Sequence, residues 1–304
     1  MSPCLVVRAP GRLTTVQDEG RWGWQHLGVP VGGPMDLCAF RRANRLVGNP
    51  SSAAGLEVTL DGPSLEIVGP TTLALTGAET SARLNGLRVP AGQPFEASTG
   101  GVLDVGALCG GARAYLAVAG GIETPVLLGS RSTSLGVLGG RPVQAGDSLP
   151  TGRAPAGRSR DARHTPSRHA GGLQPATPML RVLPGPDGGT AALESLCAGE
   201  YLLDAQSNRM GYRLTGPAVA STSRSSFSAG TVMGMVQVPP DGQPILLMAD
   251  RQTTGGYPAI GVVISADLSL AAQLGPGDRC RFVVCTRREA MTALLAQEQD
   301  MLGG

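Results

Sequence analysis

The chain has 304 residues, 41% of them hydrophobic and only 16% charged, with 45 glycines and 24 prolines. That balance excludes a disordered chain and predicts many turns between short strands. All 25 basic residues are arginine, which excludes lysine Schiff-base chemistry and a Walker-type phosphate-binding lysine. The net charge is +2, yet residues 151–177 hold five arginines against Asp161, so the rest of the chain nets about −2 and offers no basic body for nucleic acid.

In chain order, the first notable stretch runs from Thr15 to Asp36 and packs Gln17, Asp18, Arg21, Gln25 and His26 among glycines and prolines. Irregular loops of this length tend to carry binding sites. The competing reading is a loop that covers a barrel end, with Trp22 and Trp24 packed and Asp18–Arg21 as a local ion pair. His26 is the one histidine outside residues 151–177, so a site of several histidines is excluded, and no Cys/His spacing predicts zinc. A helix is expected over Pro34–Val47, stopped by Gly48-Asn49-Pro50.

Short segments rich in β-formers follow: Leu56–Leu60, Leu65–Val68, Leu73–Thr76, Val102–Val105, Tyr115–Val118, Val232–Val238, Ile245–Met248, Val262–Ile264 and Cys280–Val284. Their repeated alternation with turns predicts closed or sandwiched β-structure. Ser132 in Gly129-Ser-Arg-Ser-Thr133 lacks the elbow and the partner histidine of a serine hydrolase. Residues 151–177 have almost no large apolar side chain and read as an exposed linker between an N-terminal β-unit (1–150) and a C-terminal one (178–304). The two halves echo one another. Leu60-Asp-Gly-Pro63 matches Leu214-Thr-Gly-Pro217, and Val89-Pro-Ala-Gly-Gln-Pro94 matches Val238-Pro-Pro-Asp-Gly-Gln-Pro244, as two related β-units would.

Two polar blocks in the second half carry the main functional signal. Gln206-Ser-Asn-Arg-Met-Gly-Tyr-Arg213 joins amides, a guanidinium and a glycine in one loop; Asp250-Arg-Gln-Thr-Thr-Gly-Gly-Tyr257 does so between two apolar runs. Arg251 offers a fork of donors suited to a carboxylate or other anion, and Gly255-Gly256 lets backbone N–H groups approach one closely. Asn208 and Arg209 could orient the same ligand. The alternative is a pair of β-turns whose polar residues satisfy backbone groups. A terminal helix is expected over Arg287–Met301, with Met291, Leu294 and Leu295 on one side. The six cysteines form no C-x-x-C pair and read as reduced thiols, and the first residues carry neither a signal peptide nor a membrane span, so a soluble cytoplasmic chain is expected.

Taken together, Thr15-Val-Gln-Asp-Glu-Gly-Arg21, Gly28–Asp36, Ala43–Asn49, Arg113–Gly121, Gly129–Thr133, Ser207–Gly211, Gln237–Pro244 and Arg251–Pro258 resemble the biotin-dependent carboxyltransferase-like family. That family includes the C subunit of 5-oxoprolinase, allophanate hydrolase subunit 2 and the antagonist of a sporulation kinase inhibitor. The resemblance implies a mainly β, cyclophilin-like β-barrel architecture with few helices. It also implies a heteromer with the B subunit of 5-oxoprolinase, which is kinase-inhibitor-like, together with the A subunit, in the ATP-dependent opening of 5-oxoproline to glutamate. No cofactor is expected on this chain; ATP would be used by the complex. Biotin would enter only under a second reading, carboxyl transfer to a urea-like acceptor, and then on a partner. A third reading is a non-enzymatic regulator that binds a kinase inhibitor resembling that B subunit. The catalytic residues so implied are Asn208, Arg209, Arg251 and Tyr257. Gln252, Thr253, Gly255, Gly256, Gln237, Gln17, Asp18 and Arg21 would contact substrate. One departure stands out: Ser228-Ala229-Gly230 replaces the family's common Ser-Glu-Gly, removing a carboxylate.

Overall fold

Alternation of apolar and polar side chains fixes which face of each strand is buried, and in the first half of the chain it builds a sandwich. The computed structural model describes residues 3–136, 138–154, 177–220 and 228–303. Over these the chain is mainly β and forms two compact units. One comprises the residues up to Trp22 and those from Gly32 to 154; the other comprises Gly23–Val31 and the residues from 177 onward.

The first unit has two antiparallel sheets. One runs in the order Ser148–Pro150, Cys4–Ala9, Ser64–Val68, Val102–Asp104, Arg83–Leu84, Leu87–Arg88, and the other in the order Leu13–Gln17, Gly55–Thr59, Leu108–Val118, Thr71–Thr80, Pro94–Ala97. Leu5, Val7, Leu65, Ile67 and Leu103 from the first sheet meet Leu56, Val58, Leu73, Leu75 and Leu116 from the second in one apolar core. The intervening residues Ala74, Tyr115 and Ala117 point the other way and receive Phe40 and Ala43 of helix α1 (Leu37–Leu46) and Val47, which caps its C-terminal end. Alanine at 74 and 117 lets the helix lie close on the sheet.

A polar row crosses that helix-facing surface. Thr15, Glu57, Tyr115 and Thr76 stand opposite one another on successive strands. The Tyr115 hydroxyl donates to Glu57 Oε2 at 2.9 Å and accepts from the Asp36 backbone N–H at 2.7 Å. The Met35 N–H donates to the same carboxylate oxygen at 2.8 Å, and Thr76 Oγ1 donates to the Ala39 carbonyl at 2.6 Å. The start of α1 is thus tied to the sheet by buried hydrogen bonds. Asp36 also caps the helix, accepting from the Ala39 N–H at 3.0 Å. Its extended backbone (φ −110°, ψ 91°) is why the helix begins at Leu37 rather than at Pro34.

The second unit is a closed barrel of seven strands: Met179–Pro184, Ala259–Val263, Met235–Gln237, Ile245–Leu247, Gly211–Thr215, Glu200–Leu203 and Arg279–Val284. Closure comes from a parallel pairing of the first and last of these, Met179 opposite Arg281 and Val182 opposite Val284. Leu180, Val182, Tyr201, Tyr212, Leu246 and Phe282 are at most 3% exposed, and the Tyr201 and Phe282 rings meet edge to face at 5.8 Å. Helix α2 (Thr190–Cys197) buries Ala192, Leu193 and Leu196. A short α3 (Leu268–Ala272) and the terminal α4 (Arg287–Gly303) follow. On α4, Met291 and Leu295 are exposed while Leu294 is half-buried.

Strand Met235–Gln237 is shorter than the expected Val232–Val238, and the strands Cys4–Ala9, Leu13–Gln17, Met179–Pro184, Glu200–Leu203 and Gly211–Thr215 were not expected. The expected linker falls largely outside the described residues, as does Ser221-Thr-Ser-Arg-Ser-Ser226. Among the described residues no helix is long and apolar enough to cross a membrane. None of the six cysteines is in a disulfide.

Burial first, then the charges of Glu57 and Asp36, push the Tyr115 phenol well above its usual range. Its contribution is therefore complete below the ordinary tyrosine value of about pH 10 and is lost as pH rises further. Tyr115→Phe, which leaves two buried groups short of a partner, is expected to cost about 1–3 kcal/mol in urea unfolding and to flatten the alkaline loss of stability; a cost under about 0.5 kcal/mol would contradict the tie. Burial also pushes the Cys280 thiol up to about 12, while Cys109 is exposed. Iodoacetamide on the folded protein at neutral pH should modify Cys109 and spare Cys280. Equal modification, read by peptide mass, would mean that the barrel opens.

Candidate functional site

The two polar blocks of the second unit fold into one connected structure. Asp204 and Asn208 each turn the chain on itself: Asp204 Oδ1 accepts from the Gln206 N–H at 2.7 Å and Asn208 Oδ1 from the Met210 N–H at 2.8 Å. These turns carry Arg209 inward, where its side chain is 4% exposed. The apolar strand Ile245–Leu247 continues into buried Met248 and Ala249 and delivers Asp250 opposite it. Arg209 Nε and Nη2 donate to Asp250 Oδ2 and Oδ1 at 2.9 and 3.0 Å, a two-pronged ion pair. The backbones are joined as well, Asp250 N–H to the Arg209 carbonyl and Met248 N–H to the Met210 carbonyl, each at 2.9 Å. Sequence reasoning passed over Asp250; its signal was a carboxylate placed directly before Arg251 in a block otherwise cationic or neutral.

Arg251 follows and has a different environment. It is 8% exposed, and its Nε is buried with no hydrogen-bond partner among the described residues. Burial lowers its pKa from the usual arginine value. A guanidinium withdrawn from water, with no counter-ion among the described residues, would be stabilised by an incoming anion, which makes this position a candidate anion site.

A two-stranded ribbon stands beside it. Ala229–Gly230 pairs with Thr254–Gly255, Ala229 directly opposite Gly255. The Thr231 N–H donates to the Thr253 carbonyl at 3.0 Å and Thr231 Oγ1 to the Gln252 carbonyl. Beneath the ribbon lies Gln237, 2% exposed, its Nε2 3.5 Å from the Tyr257 carbonyl. A Cβ at Gly255 would stand 2.6 Å from that Nε2, so a side chain at position 255 would have to displace the Gln237 amide. Gln252 and Thr253 are half-buried, while Gly256 and Tyr257 are exposed. Asn208, Arg209, Gln237 and residues 250–257 therefore share one set of hydrogen-bonded loops. The position where the family's common glutamate is absent, Ala229, sits on the same ribbon.

Gln17, Asp18 and Arg21 belong to the first unit and are deeply buried there. Asp18 Oδ1 accepts from Ser130 Oγ at 2.5 Å, Ser132 Oγ at 2.7 Å and the Gly20 N–H at 2.9 Å, while Oδ2 accepts from the Arg131 N–H at 2.6 Å. Arg21 Nη2 donates to the Ser132 carbonyl at 2.5 Å. Gln17 Nε2 donates to Thr15 Oγ1 at 3.0 Å. The motif Gly129-Ser-Arg-Ser-Thr133 is thus a loop that Asp18 and Arg21 hold in place. His26 lies exposed in the short 3₁₀ turn Gln25–Leu27, and Trp22 and Trp24 are exposed rather than packed. Among the described residues no group of three or more His, Cys, Asp or Glu side chains could hold a metal ion.

A β-sandwich unit and a closed-barrel unit with a buried arginine, Arg251, on its loops set the class to be compared. Residues 27–284 match the model of the carboxyltransferase domain, subdomain A and B, and the chain belongs to that family. It is 41% identical over 304 residues to the C subunit of 5-oxoprolinase from Escherichia coli K12, covering 97% of this chain and 95% of that protein. It is 33% identical over 333 residues to urea amidolyase of Lachancea kluyveri, covering 98% of this chain but 18% of the relative. Among solved structures, Kluyveromyces lactis urea carboxylase superposes with a TM-score of 0.90 at 32% identity, covering 99% of this chain and 29% of that one. The chain thus spans nearly all of the 5-oxoprolinase relative and a minor part of the two larger proteins.

Removing the carboxylate of the Arg209–Asp250 pair takes two charge-assisted hydrogen bonds from a buried cation. Asp250→Ala is expected to cost about 3 kcal/mol in chemical unfolding, and the double variant Arg209→Met/Asp250→Ala clearly less. Equal losses in the two would show that the pair does not couple.

Proposed function

We propose that this chain is the C subunit of an ATP-dependent 5-oxoprolinase, which opens 5-oxoproline to L-glutamate together with the A and B subunits. The reading is supported by the likeness to a protein of that name across 95% of its length. The observation that carries it to residues is the buried Arg251 guanidinium, whose Nε has no partner among the described residues. A lactam that carries a carboxylate, and whose carbonyl oxygen gains negative charge as the ring opens, meets such a receptor. Arg251 and the backbone N–H groups of Gly255 and Gly256 hold negative charge, and Gln252, Thr253 and Tyr257 contact the ring. Asn208 shapes the loop that carries Arg209. Arg209, engaged by Asp250, acts as a positioning residue behind Arg251. Gln17, Asp18 and Arg21 contribute through the loop that they fix in the first unit. ATP is consumed on a partner, which places the complex in the cytoplasm.

A second reading, carboxyl transfer to a urea-like acceptor, is favoured by the TM-score of 0.90 to urea carboxylase. It requires biotin on another chain, since this one has no lysine to carry it.

The test is to purify the chain with the A and B subunits, and to measure ATP-dependent glutamate formation from 5-oxoproline. Arg251→Ala is expected to lower kcat by about 10²–10³-fold with co-purification unchanged. An unchanged rate would remove Arg251 from the site, and loss of co-purification would make it structural. No glutamate from the intact complex, with carboxylation of urea by a biotinylated partner, would establish the second reading instead.

A further inference from the structure

The first unit contains a cavity of about 410 Å³ that none of the preceding roles uses. Its size lies in the range of small-molecule pockets. Its floor is the edge of the sandwich core, Val16, Val143 and Leu149, each at most 6% exposed. The wall is polar: the Arg21 and Arg131 guanidiniums with Thr124, Ser130, Ser132 and Ser134. Thr124 Oγ1 is buried and has no hydrogen-bond partner among the described residues.

Cationic side chains outnumber carboxylates among the residues that line the cavity. Three arginines line the cavity, and the one carboxylate among the lining residues is Asp147. That carboxylate is engaged by Arg141, with oxygens 2.7 and 2.8 Å from the two guanidinium nitrogens, and by the Gln144 N–H at 2.8 Å. Those contacts, the Arg141 hydrogen bond foremost, hold it down to about 2. Asp18 stands behind the same loop and is saturated by the two serine hydroxyls and two backbone N–H groups already described.

The wall is also fixed in advance. Leu128 adopts a left-handed conformation (φ 52°) that a leucine rarely takes. It is held there by reciprocal backbone hydrogen bonds between Leu127 and Ser130, at 2.8 and 3.2 Å, and by the Asp18 clamp. Arg131 is anchored at both ends: its backbone N–H donates to Asp18, and its side chain donates to the Thr124 carbonyl. Leu127 and its neighbour Val126 are 48% and 56% exposed, an apolar lip on this loop.

We propose that this cavity is a second ligand site, in the first unit, for a small organic monocarboxylate: the carboxylate is taken by Arg131 and the Thr124 hydroxyl, and the apolar part lies on Val16, Val143 and Leu149. The site is independent of the Arg251 loops, so its failure and the failure of the oxoprolinase reading are separately visible.

The test is isothermal titration of the full chain with benzoate and butyrate, with the neutral amide benzamide as control. Saturable binding of an anion is expected, with benzamide weaker. Arg131→Gln should weaken it about tenfold or more, Thr124→Val should weaken it less, and Arg251→Ala should leave it unchanged. Both wall variants keep the backbone contacts to Asp18, and an unchanged melting temperature confirms that the loop is intact. No saturable binding of either anion would overturn the proposal. So would equal affinity for benzamide, or binding lost in Arg251→Ala and kept in Arg131→Gln, which would place the anion in the second unit. If Arg131→Gln melts early, Thr124→Val decides: unchanged affinity there overturns the site.

Discussion

One carboxylate between two buried arginines governs the second unit. Asp250 meets Arg209 with both oxygens at 2.9 and 3.0 Å, and the next residue in the chain, Arg251, is left without an equivalent partner for its Nε. Had Asp250 bridged both guanidiniums, the loops would be a neutral, closed cluster. Given to Arg209, it joins two loops and leaves the Arg251 Nε without a partner among the described residues. Desolvation makes that cation strongly responsive to negative charge, since the alternative is a buried unpaired ion. The ribbon of Ala229–Gly230 and Thr254–Gly255 then matters as the wall beside this cation. Glycine at 255 lets it rest on Gln237 without displacing that amide.

The first unit uses the same device twice with opposite outcomes. Around Glu57 and Tyr115, buried polar groups are matched to one another and to backbone N–H groups, and the result is a rigid seat for α1. Around Asp18 the carboxylate is saturated by one loop, and this consumes its negative charge inside the protein. Arg131, on the cavity side of that loop, meets this carboxylate only through its backbone N–H. Both clusters read in sequence as polar residues among apolar ones.

The strands with clear alternation, such as Leu65–Val68 and Leu73–Thr76, were legible because each has one core face. Leu13–Gln17 was not, because Thr15 and Gln17 look like surface residues and are in fact buried by the polar row. The echo between the halves has a local physical cause. A Cβ at Gly62 would stand 2.4 Å from Val105 and one at Gly216 2.6 Å from Tyr201, while Gly92 and Gly242 both hold left-handed turns. Each repeated motif answers a requirement of its own turn. In the site, the residue types of 206–213 and 250–257 announced anion chemistry, but which arginine was spent and which was open depends on Asp250, and pairing across 41 residues is not written in either block. The roles of Asp18 and Ser132 were hidden for the same reason, their partners lying 114 positions apart.

The closing seam of the barrel joins Met179–Pro184 to Arg279–Val284, the first strand of the unit to the last. Every other strand of the barrel lies between them in sequence. During synthesis on the ribosome, the earliest strand must wait with one edge unpaired until about a hundred further residues have emerged, so this unit matures only after its chain segment is complete. A stalled or prematurely terminated product that stops before Arg279 would present two open strand edges at once. Such fragments are templates for aggregation, and the cell must clear them by proteolysis rather than wait for them to fold.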